Sequence, residues 1–148
     1  MAMWLKSTTN FGNNTFGWNQ RMGILSGPAD TYGMFLNIGK FNFMVGPENS
    51  GHKVRFSSAS NVNSGIWFHL VVFRETSGAG DWGTYYSALN GSVVGIGNKQ
   101  FSASTGSLLY LGKTQAGSAY FLGTLDDLRI YDRVLNTGEI QALYQLGN

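Results

Sequence analysis

Short apolar runs separated by clusters of small polar residues are the feature that most limits what this chain can form. Glycine alone supplies 21 of the 148 residues, and Ser, Asn and Thr crowd the same intervals. This punctuation is typical of strands joined by tight turns. The runs predict ten strands, at Ala2–Ser7, Arg21–Ser26, Tyr32–Ile38, Phe41–Val45, Val54–Ser57, Ile66–Glu75, Thr84–Leu89, Val93–Ile96, Leu108–Gly112 and Tyr120–Tyr131.

Ten strands with turn signals between them favour an all-β sandwich or barrel. Gly39-Lys40 and Asn90-Gly91 are predicted to be two-residue hairpin turns. A helix is predicted only at the C-terminal end, where Asn136 and Glu139 form a capping-box pattern. After it, Ile140, Leu143 and Tyr144 recur at helical spacing, and Gly147 supplies a stop signal. We expect this helix to lay its apolar stripe against the sandwich.

Charge and composition exclude several functional classes. Charged residues make up 12% of the chain, against about 25% in an average protein. The ten Lys and Arg are scattered, whereas a nucleic-acid site needs a basic stripe. No apolar run approaches the roughly 20 residues of a membrane helix, so no membrane insertion is expected. The absence of Cys excludes disulfides, thiolate zinc sites and a cysteine nucleophile.

Two strands have unusual hydrophobic phases. Both faces of Trp67–Arg74 are largely apolar, although a strand of a two-layer sandwich has one core face. Its second face is therefore expected to be covered by loops or to form an aromatic groove. In the last predicted strand, Phe121, Gly123 and Leu125 share one phase, whereas Leu128 and Ile130 have the opposite one. A bulge at Asp126-Asp127 would return all five to the core.

The C-terminal stretch 121–144 closely resembles the signature of laminin-G-like jelly-roll domains in the concanavalin A-like lectin/glucanase superfamily. The similarity includes the Gly-x-Leu-Asp-Asp-Leu-Arg-Ile-Tyr run that begins at Gly123 and the Glu-Ile-x-x-Leu-Tyr run that begins at Glu139. Trp4-Leu-Lys, Trp67-Phe-His-Leu and Leu109-Tyr-Leu-Gly match earlier family segments in order. The resemblance implies a two-sheet antiparallel jelly-roll sandwich, concanavalin A-like, spanning 1–148 as a single domain.

One family element has no counterpart here. Members usually begin with a strand containing Phe-Asp-Gly, about fifteen residues before the segment that Trp4 matches. The first and last strands of such jelly rolls are neighbours, so the resemblance implies an open edge beside Tyr120–Tyr131. Another chain, a rearranged N-terminus or a second copy could cover it. Homo-oligomerisation through this edge is therefore one expectation.

Catalysis is not favoured by the acidic residues. Glucan-cleaving enzymes of this superfamily carry a strand with Glu-x-Asp-x-Glu or a close variant, because a retaining mechanism needs two carboxyl groups about 5 Å apart. None of the eight acids here stands at such strand spacing. Spacing alone leaves a Ser-His-Asp triad through His52 or His69 open, but no serine lies in a nucleophile elbow. His69 is predicted to be a packed, hydrogen-bonded residue.

A structural Ca²⁺ at Asp126 and Asp127 is the strongest metal hypothesis. Relatives often hold Ca²⁺ through an Asp that Asp126 matches, and Ca²⁺ takes six to eight oxygen ligands. The alternative is a structural role for both carboxylates. In that case Asp127 pairs with Arg129 or Arg133, and Asp126 accepts backbone N–H bonds that stabilise the bulge. No other cofactor is implied.

Ligand contact is predicted for Trp18, Asn19, Asp81, Trp82 and Tyr85. The two Trp lie in Gly/Asn-rich segments, where an indole is less readily buried than on a strand. Flat aromatic rings beside Asn and Asp suit sugars, which present apolar C–H faces and directed hydroxyls. The alternative is that each Trp caps an open end of the sandwich.

The resemblance therefore implies a non-catalytic carbohydrate-recognition or adhesion module with a glycan or glycoprotein partner. An extracellular or cell-surface location follows from the same resemblance. A protein–protein interaction or structural module on the same fold is the alternative, because fold does not specify function. A glycan hydrolase is the third hypothesis.

Overall fold

The computed structural model of the chain describes residues 1–10, 22–27, 32–45, 54–76, 82–100, 109–114 and 120–147, with backbone alone at 54, 55, 82, 94–96 and 98–100. These residues contain ten strands and one helix, as predicted. Their bounds are β1 Ala2–Lys6, β2 Met22–Ser26, β3 Tyr32–Asn37, β4 Lys40–Val45, β5 Val54–Asn61, β6 Phe68–Thr76, β7 Trp82–Leu89, β8 Ser92–Gln100, β9 Tyr110–Leu111, β10 Thr124–Arg129 and α1 Thr137–Leu146.

The strands form two five-stranded sheets. The first sheet has the order β10-β1-β6-β7-β8, and the second has the order β5-β4-β3-β2-β9. Every pair of adjacent strands is antiparallel. This is the jelly-roll sandwich that the sequence predicted.

The main hydrophobic core lies between the two sheets. The first sheet contributes Met3, Leu5, Leu70 and Val72, and the second contributes Met22, Met34, Leu36, Phe41 and Phe43. Each such side chain stabilises the fold by about 1.5–3 kcal/mol when fully buried. The core thus holds the sheets together without disulfides.

The apolar outer face of β6 is covered by the C-terminal helix rather than by the predicted loops or an aromatic groove, because Ile140 of the helix packs on Val71. Val71 of this face packs with Ala2, Ala88, Leu135 and Ile140 in a second buried cluster. The two apolar faces of β6 therefore have separate partners, the other sheet on one side and α1 on the other. The helix begins with the predicted capping box, in which Asn136 and Glu139 each accept the other's backbone N–H.

Two hairpin turns contain paired residues with positive φ. Asn90 and Gly91 have φ values of 50° and 78°, as expected for a type I′ turn. The other turn is Ile38-Gly39 rather than the predicted Gly39-Lys40, because Asn37 pairs directly with Lys40. That pairing places Leu36 opposite Phe41, and both are fully buried.

The predicted bulge in the last strand is present. Between its pairs with Trp4 and Ala2, β10 runs from Asp126 to Arg129 and so contains one residue more than β1. Asp127 has a φ of 50° within this irregularity. Since Leu125 pairs with core residue Leu5, the extra residue returns the following apolar positions to the core-facing side.

Those apolar positions are nevertheless not buried. Leu128 is 37% exposed and Ile130 is 64% exposed, so the expectation that both join the core is wrong. The reason is their place in the fold: among the described strands β10 is an edge, and the second sheet ends in the two-residue strand β9. Among the described strands, β10 therefore has an open edge, as the resemblance implies.

Candidate ligand-binding site

A cavity of about 540 Å³ lies between the sheets at one end of the sandwich, and we call it the end cavity. Tyr32 and Val45 line it from the second sheet, whereas Arg74 and Tyr85 line it from the first. Residues 131–134, which follow β10, close one side. Its size falls within the range of about 300–1,000 Å³ for small-molecule sites.

Aromatic side chains and one guanidinium form the inner wall of the end cavity. Tyr85 is 6% exposed, and its ring centroid lies 6.4 Å from that of Phe43. The guanidinium carbon of Arg74 lies 5.7 Å from the Tyr85 ring centroid, within cation–π range. A Cβ on Gly83 would lie 2.5 Å from Arg74 Nε and 2.8 Å from the carbonyl oxygen of Glu75, so a larger residue here would displace the arginine.

The cavity rim is tied to the start of α1. Arg133 donates to both carboxylate oxygens of Glu139, at 2.6 and 2.9 Å. This pair, followed by the backbone N–H of Asn136, lowers the pKa of Glu139 to about 2. The same carboxylate raises the pKa of Arg133 above its ordinary value. Glu139 therefore stays ionised. Its carboxylate links the rim residue Arg133 to Asn136 at the start of α1.

Of the five residues predicted to contact a ligand, two lie among the described residues, Tyr85 fully and Trp82 by its backbone. Tyr85 lies in the end cavity. Trp82 begins β7, next to Gly83, which pairs with the cavity residue Thr76, so its backbone lies at the same end of the sandwich. Trp18, Asn19 and Asp81 lie outside the described residues.

Sequence reasoning missed Tyr32, Arg74 and Tyr131 of the end cavity. One signal could have indicated Arg74. In β6, Phe68, Leu70 and Val72 occupy the core-facing phase, and Arg74 continues it with a charge. A charged residue at a core-facing position marks a place where the core opens to solvent or to a ligand.

Asp126 and Asp127 both have exposed side chains on the outer side of the bulge. Asp126 Oδ1 accepts the backbone N–H of Asp127 at 2.8 Å, and Asp127 Oδ1 accepts Arg129 Nε at 2.8 Å. The hydrogen bond that Arg129 donates to Asp127 raises the pKa of Arg129. These contacts are the ones that the structural alternative predicts. Within the described residues no three His, Asp or Glu side chains group as metal ligands. Calcium binding and the structural role of both carboxylates stay alternative hypotheses.

His69 lies beneath α1, away from the end cavity. It is 2% exposed, and its ring centroid is 5.1 Å from that of Trp4 and 6.2 Å from that of Tyr144. Its backbone N–H donates to Asn90 Oδ1, whereas Nδ1 has no hydrogen-bond partner in the described part of the chain. His69 is therefore a packed residue between aromatic rings, as predicted. The other histidine, His52, lies outside the described residues.

Across the described residues, no helix is long and apolar enough to cross a membrane.

Comparison with known proteins agrees with the architecture. A laminin-G family model described as "Concanavalin A-like lectin/glucanases superfamily" matches residues 1–141. No curated protein sequence matches the chain. The binding domain of Paraclostridial Mosquitocidal Protein 1 is similar in structure, with a TM-score of 0.63, 16% identity and 99% of this chain covered. Mouse laminin alpha1 chain domains LG4-5 give a TM-score of 0.46, 11% identity and 78% coverage.

This chain spans 36% and 28% of the lengths of those two structures. At such identities the first shows a shared fold. The family match, in contrast, spans β1 to the middle of α1 and includes the Asp126-Asp127 motif. The chain belongs to the laminin-G-like members of the concanavalin A-like lectin/glucanase superfamily.

Proposed function

We propose that this chain is a non-catalytic binding module and that its end cavity receives a glycan. The observation that carries this proposal is the cavity itself, about 540 Å³ of space with aromatic walls and the Arg74 guanidinium beside the Tyr85 ring. Laminin-G-like membership supports a binding role. So does the name of the mosquitocidal protein's binding domain, which has the same fold.

The chemistry of the cavity suits a sugar. Tyr32, Phe43 and Tyr85 offer rings to the C–H face of a pyranose, while the Arg74 guanidinium offers N–H donors for hydroxyl oxygens. Asp132 at the rim adds a carboxylate acceptor. Apolar walls with a few oriented polar groups are the usual composition of a small-molecule site.

Hydrolysis is less well supported than binding. A retaining glycosidase needs two carboxyl groups about 5 Å apart, and an inverting one needs them about 6.5–9.5 Å apart. Of the described residues that line the end cavity, Asp132 alone is acidic. We therefore place adhesion or glycan recognition, outside the cell or at its surface, ahead of catalysis.

A protein-interaction module is the second candidate, and one observation favours it. Leu111, Tyr120, Leu122 and Ile130, in and around β9 and β10, are each more than half exposed. Exposed apolar side chains near an open strand edge are a common basis for protein contacts.

Glycan-array binding of the purified protein, followed by calorimetry on the best ligand, tests the proposal. Arg74→Met keeps the length of the stem but removes the donors, and we expect it to weaken binding by roughly tenfold or more. Trp18→Ala and Trp82→Ala test the two indoles predicted from sequence. Leu146→Ala, an exposed position outside the cavity, is the matched control.

Retention of no glycan by the unmodified protein would overturn the proposal and favour the protein-interaction candidate. Equal affinity in Arg74→Met and Leu146→Ala would place the glycan outside the end cavity. Release of reducing sugar from any β-glucan or galactan would restore the hydrolase hypothesis.

A further inference from the structure

A second, smaller cleft lies on the outer face of the first sheet, beyond the C-terminal end of α1. Its volume is about 290 Å³, and it is lined by Trp4, Trp67, Asp126, Asp127 and Gly147. We call it the tryptophan cleft. Its size is close to the lower limit of about 300 Å³ for small-molecule sites, which suits one sugar ring rather than a chain.

The cleft is separate from the end cavity. Trp67 precedes the first residue of β6, whereas Arg74 lies near its last residues, and seven residues of strand span roughly 23 Å. The two side chains also alternate to opposite faces of the sheet. A ligand in one site therefore leaves the other open.

Trp67 provides an exposed aromatic platform in this cleft. Its side chain is 38% exposed, although the next five residues of the chain are buried. Lys6 Nζ lies 5.5 Å from the ring centroid, on the neighbouring strand. Because Lys6 Nζ lies over one face of the indole, the opposite face is the candidate for stacking with a ligand.

The floor of the cleft is fixed by packing. Trp4 stacks on Tyr144 of α1 at 5.9 Å and lies 5.1 Å from His69. A Cβ on Gly147 would lie 2.2 Å from the Trp4 ring, so the chain closes on the indole as the helix ends. A residue larger than glycine at 147 would therefore displace the Trp4 ring that lines the cleft.

The two carboxylates have acceptor capacity left. Asp126 and Asp127 each use Oδ1 for the contacts within the bulge, and Oδ2 of each has no partner in the part of the chain that the structure describes. Arg129 pairs with Asp127, and Lys6 Nζ lies over the Trp67 ring, so basic groups stand beside the acidic ones around the cleft. An uncharged ligand with several hydroxyl donors fits this environment better than an ion does.

We propose that the tryptophan cleft is a second glycan site, in which one uncharged pyranose ring stacks on Trp67 and donates hydroxyl hydrogen bonds to Asp126 and Asp127. This extends the proposed function but does not require the end cavity to bind. With both sites occupied, one domain holds two sugar units about 20 Å or more apart. It then binds long or clustered glycans more tightly than single sugars.

Titration of ¹⁵N-labelled protein with cellohexaose, mannohexaose and galactohexaose tests the cleft directly. The indole N–H signal of Trp67, assigned from its loss in Trp67→Phe, is the readout. We expect at least one sugar to shift this signal with saturation. Asp126→Asn/Asp127→Asn is expected to weaken the response roughly tenfold, while Arg74→Met leaves it unchanged.

Four outcomes contradict the cleft. No shift of the Trp67 signal with any of the three sugars overturns it. So does a shift that the double Asn variant leaves intact, or one that calcium alone reproduces. If Arg74→Met abolishes the Trp67 response, there is one site in the end cavity and none in the cleft. If the unmodified protein shows the Trp67 response but binds no glycan in the end cavity, only the proposed function is refuted.

Discussion

The imidazole of His69 lies 5.1 Å from the indole of Trp4, with the rings tilted by 42°, and Tyr144 of α1 covers both. Burial is the main cause that lowers the pKa of His69. Asp127 raises that pKa and Arg129 lowers it, both from the edge strand β10, which lies beyond β1. The stack therefore holds a neutral histidine between the sheet and the helix.

This burial predicts a loss of stability in mild acid. Below a pH of about 6.5 the unfolded chain takes up a proton that the folded His69 resists, so the free energy of unfolding falls as the pH decreases. The fall continues until the pH reaches the lowered folded-state pKa, and a single proton contributes at most about 1.4 kcal/mol per pH unit. Urea unfolding between pH 5 and 8 measures this pH dependence of the free energy of unfolding.

His69→Gln is expected to flatten that pH dependence, while His52→Gln serves as the control for the other histidine. If both variants keep the full slope, the titrating group is not His69. A slope of the opposite sign would mean that the folded state favours the imidazolium.

The start of α1 gives a second prediction. Asn136 Oδ1 accepts the backbone N–H of Glu139 at 2.9 Å, and Glu139 Oε2 accepts the N–H of Asn136 at 2.8 Å. Asn136→Ala removes one half of this reciprocal cap and is expected to cost about 1 kcal/mol. In a domain of this size that lowers the Tm by roughly 2–4 °C.

Asn136→Asp is the matched comparison, because a carboxylate oxygen caps as well as an amide oxygen does. Thermal unfolding of the two variants side by side provides the measurement. Equal Tm values for Asn136→Ala and Asn136→Asp would show that the cap contributes nothing to the folded protein.

Local patterns account for the features that the sequence predicted well. The Asn90-Gly91 turn, the capping box at Asn136 and the bulge at Asp127 each depend on a few neighbouring residues. The pair Asn37–Lys40 shows the limit, since core packing of the two strands moved that turn by one residue.

The end cavity could not be predicted in the same way. Tyr32, Arg74 and Tyr131 belong to three segments that are distant in sequence, and only the pairing of strands brings them around one space. The sequence did identify Tyr85. However, Tyr85 and Tyr86 are adjacent and alternate on the strand, and the pattern alone left open which of the two faces inward. Exposure of Ile130 likewise depends on the position of β10 at the edge of the described strands, which no local pattern reveals.

Calcium dependence is the third prediction. Asp127 is paired with Arg129, so a cation at this position must displace an existing ion pair and must find further oxygen ligands. We expect the Tm to be the same in EDTA as in millimolar CaCl₂. A higher Tm in calcium that Asp126→Asn/Asp127→Asn abolishes would instead establish the metal site implied by the family resemblance.

The fourth prediction concerns the open edge of β10. Its outer backbone groups have no strand partner among the described strands, and Ile130 at its end is largely exposed. Two such edges can pair across a two-fold axis and cover each other's apolar side chains. Sedimentation velocity is expected to show a dimer whose fraction rises with protein concentration.

Ile130→Lys introduces a charge at the edge and is expected to shift that equilibrium to the monomer, because two copies of the lysine repel and resist burial. Val93→Lys, on the exposed outer side of β8 at the opposite edge of the same sheet, is the control. A monomer at every concentration would contradict self-association. A dimer that resists Ile130→Lys but dissociates in Val93→Lys would place the contact at β8, and the open edge of β10 would then be free for a different partner.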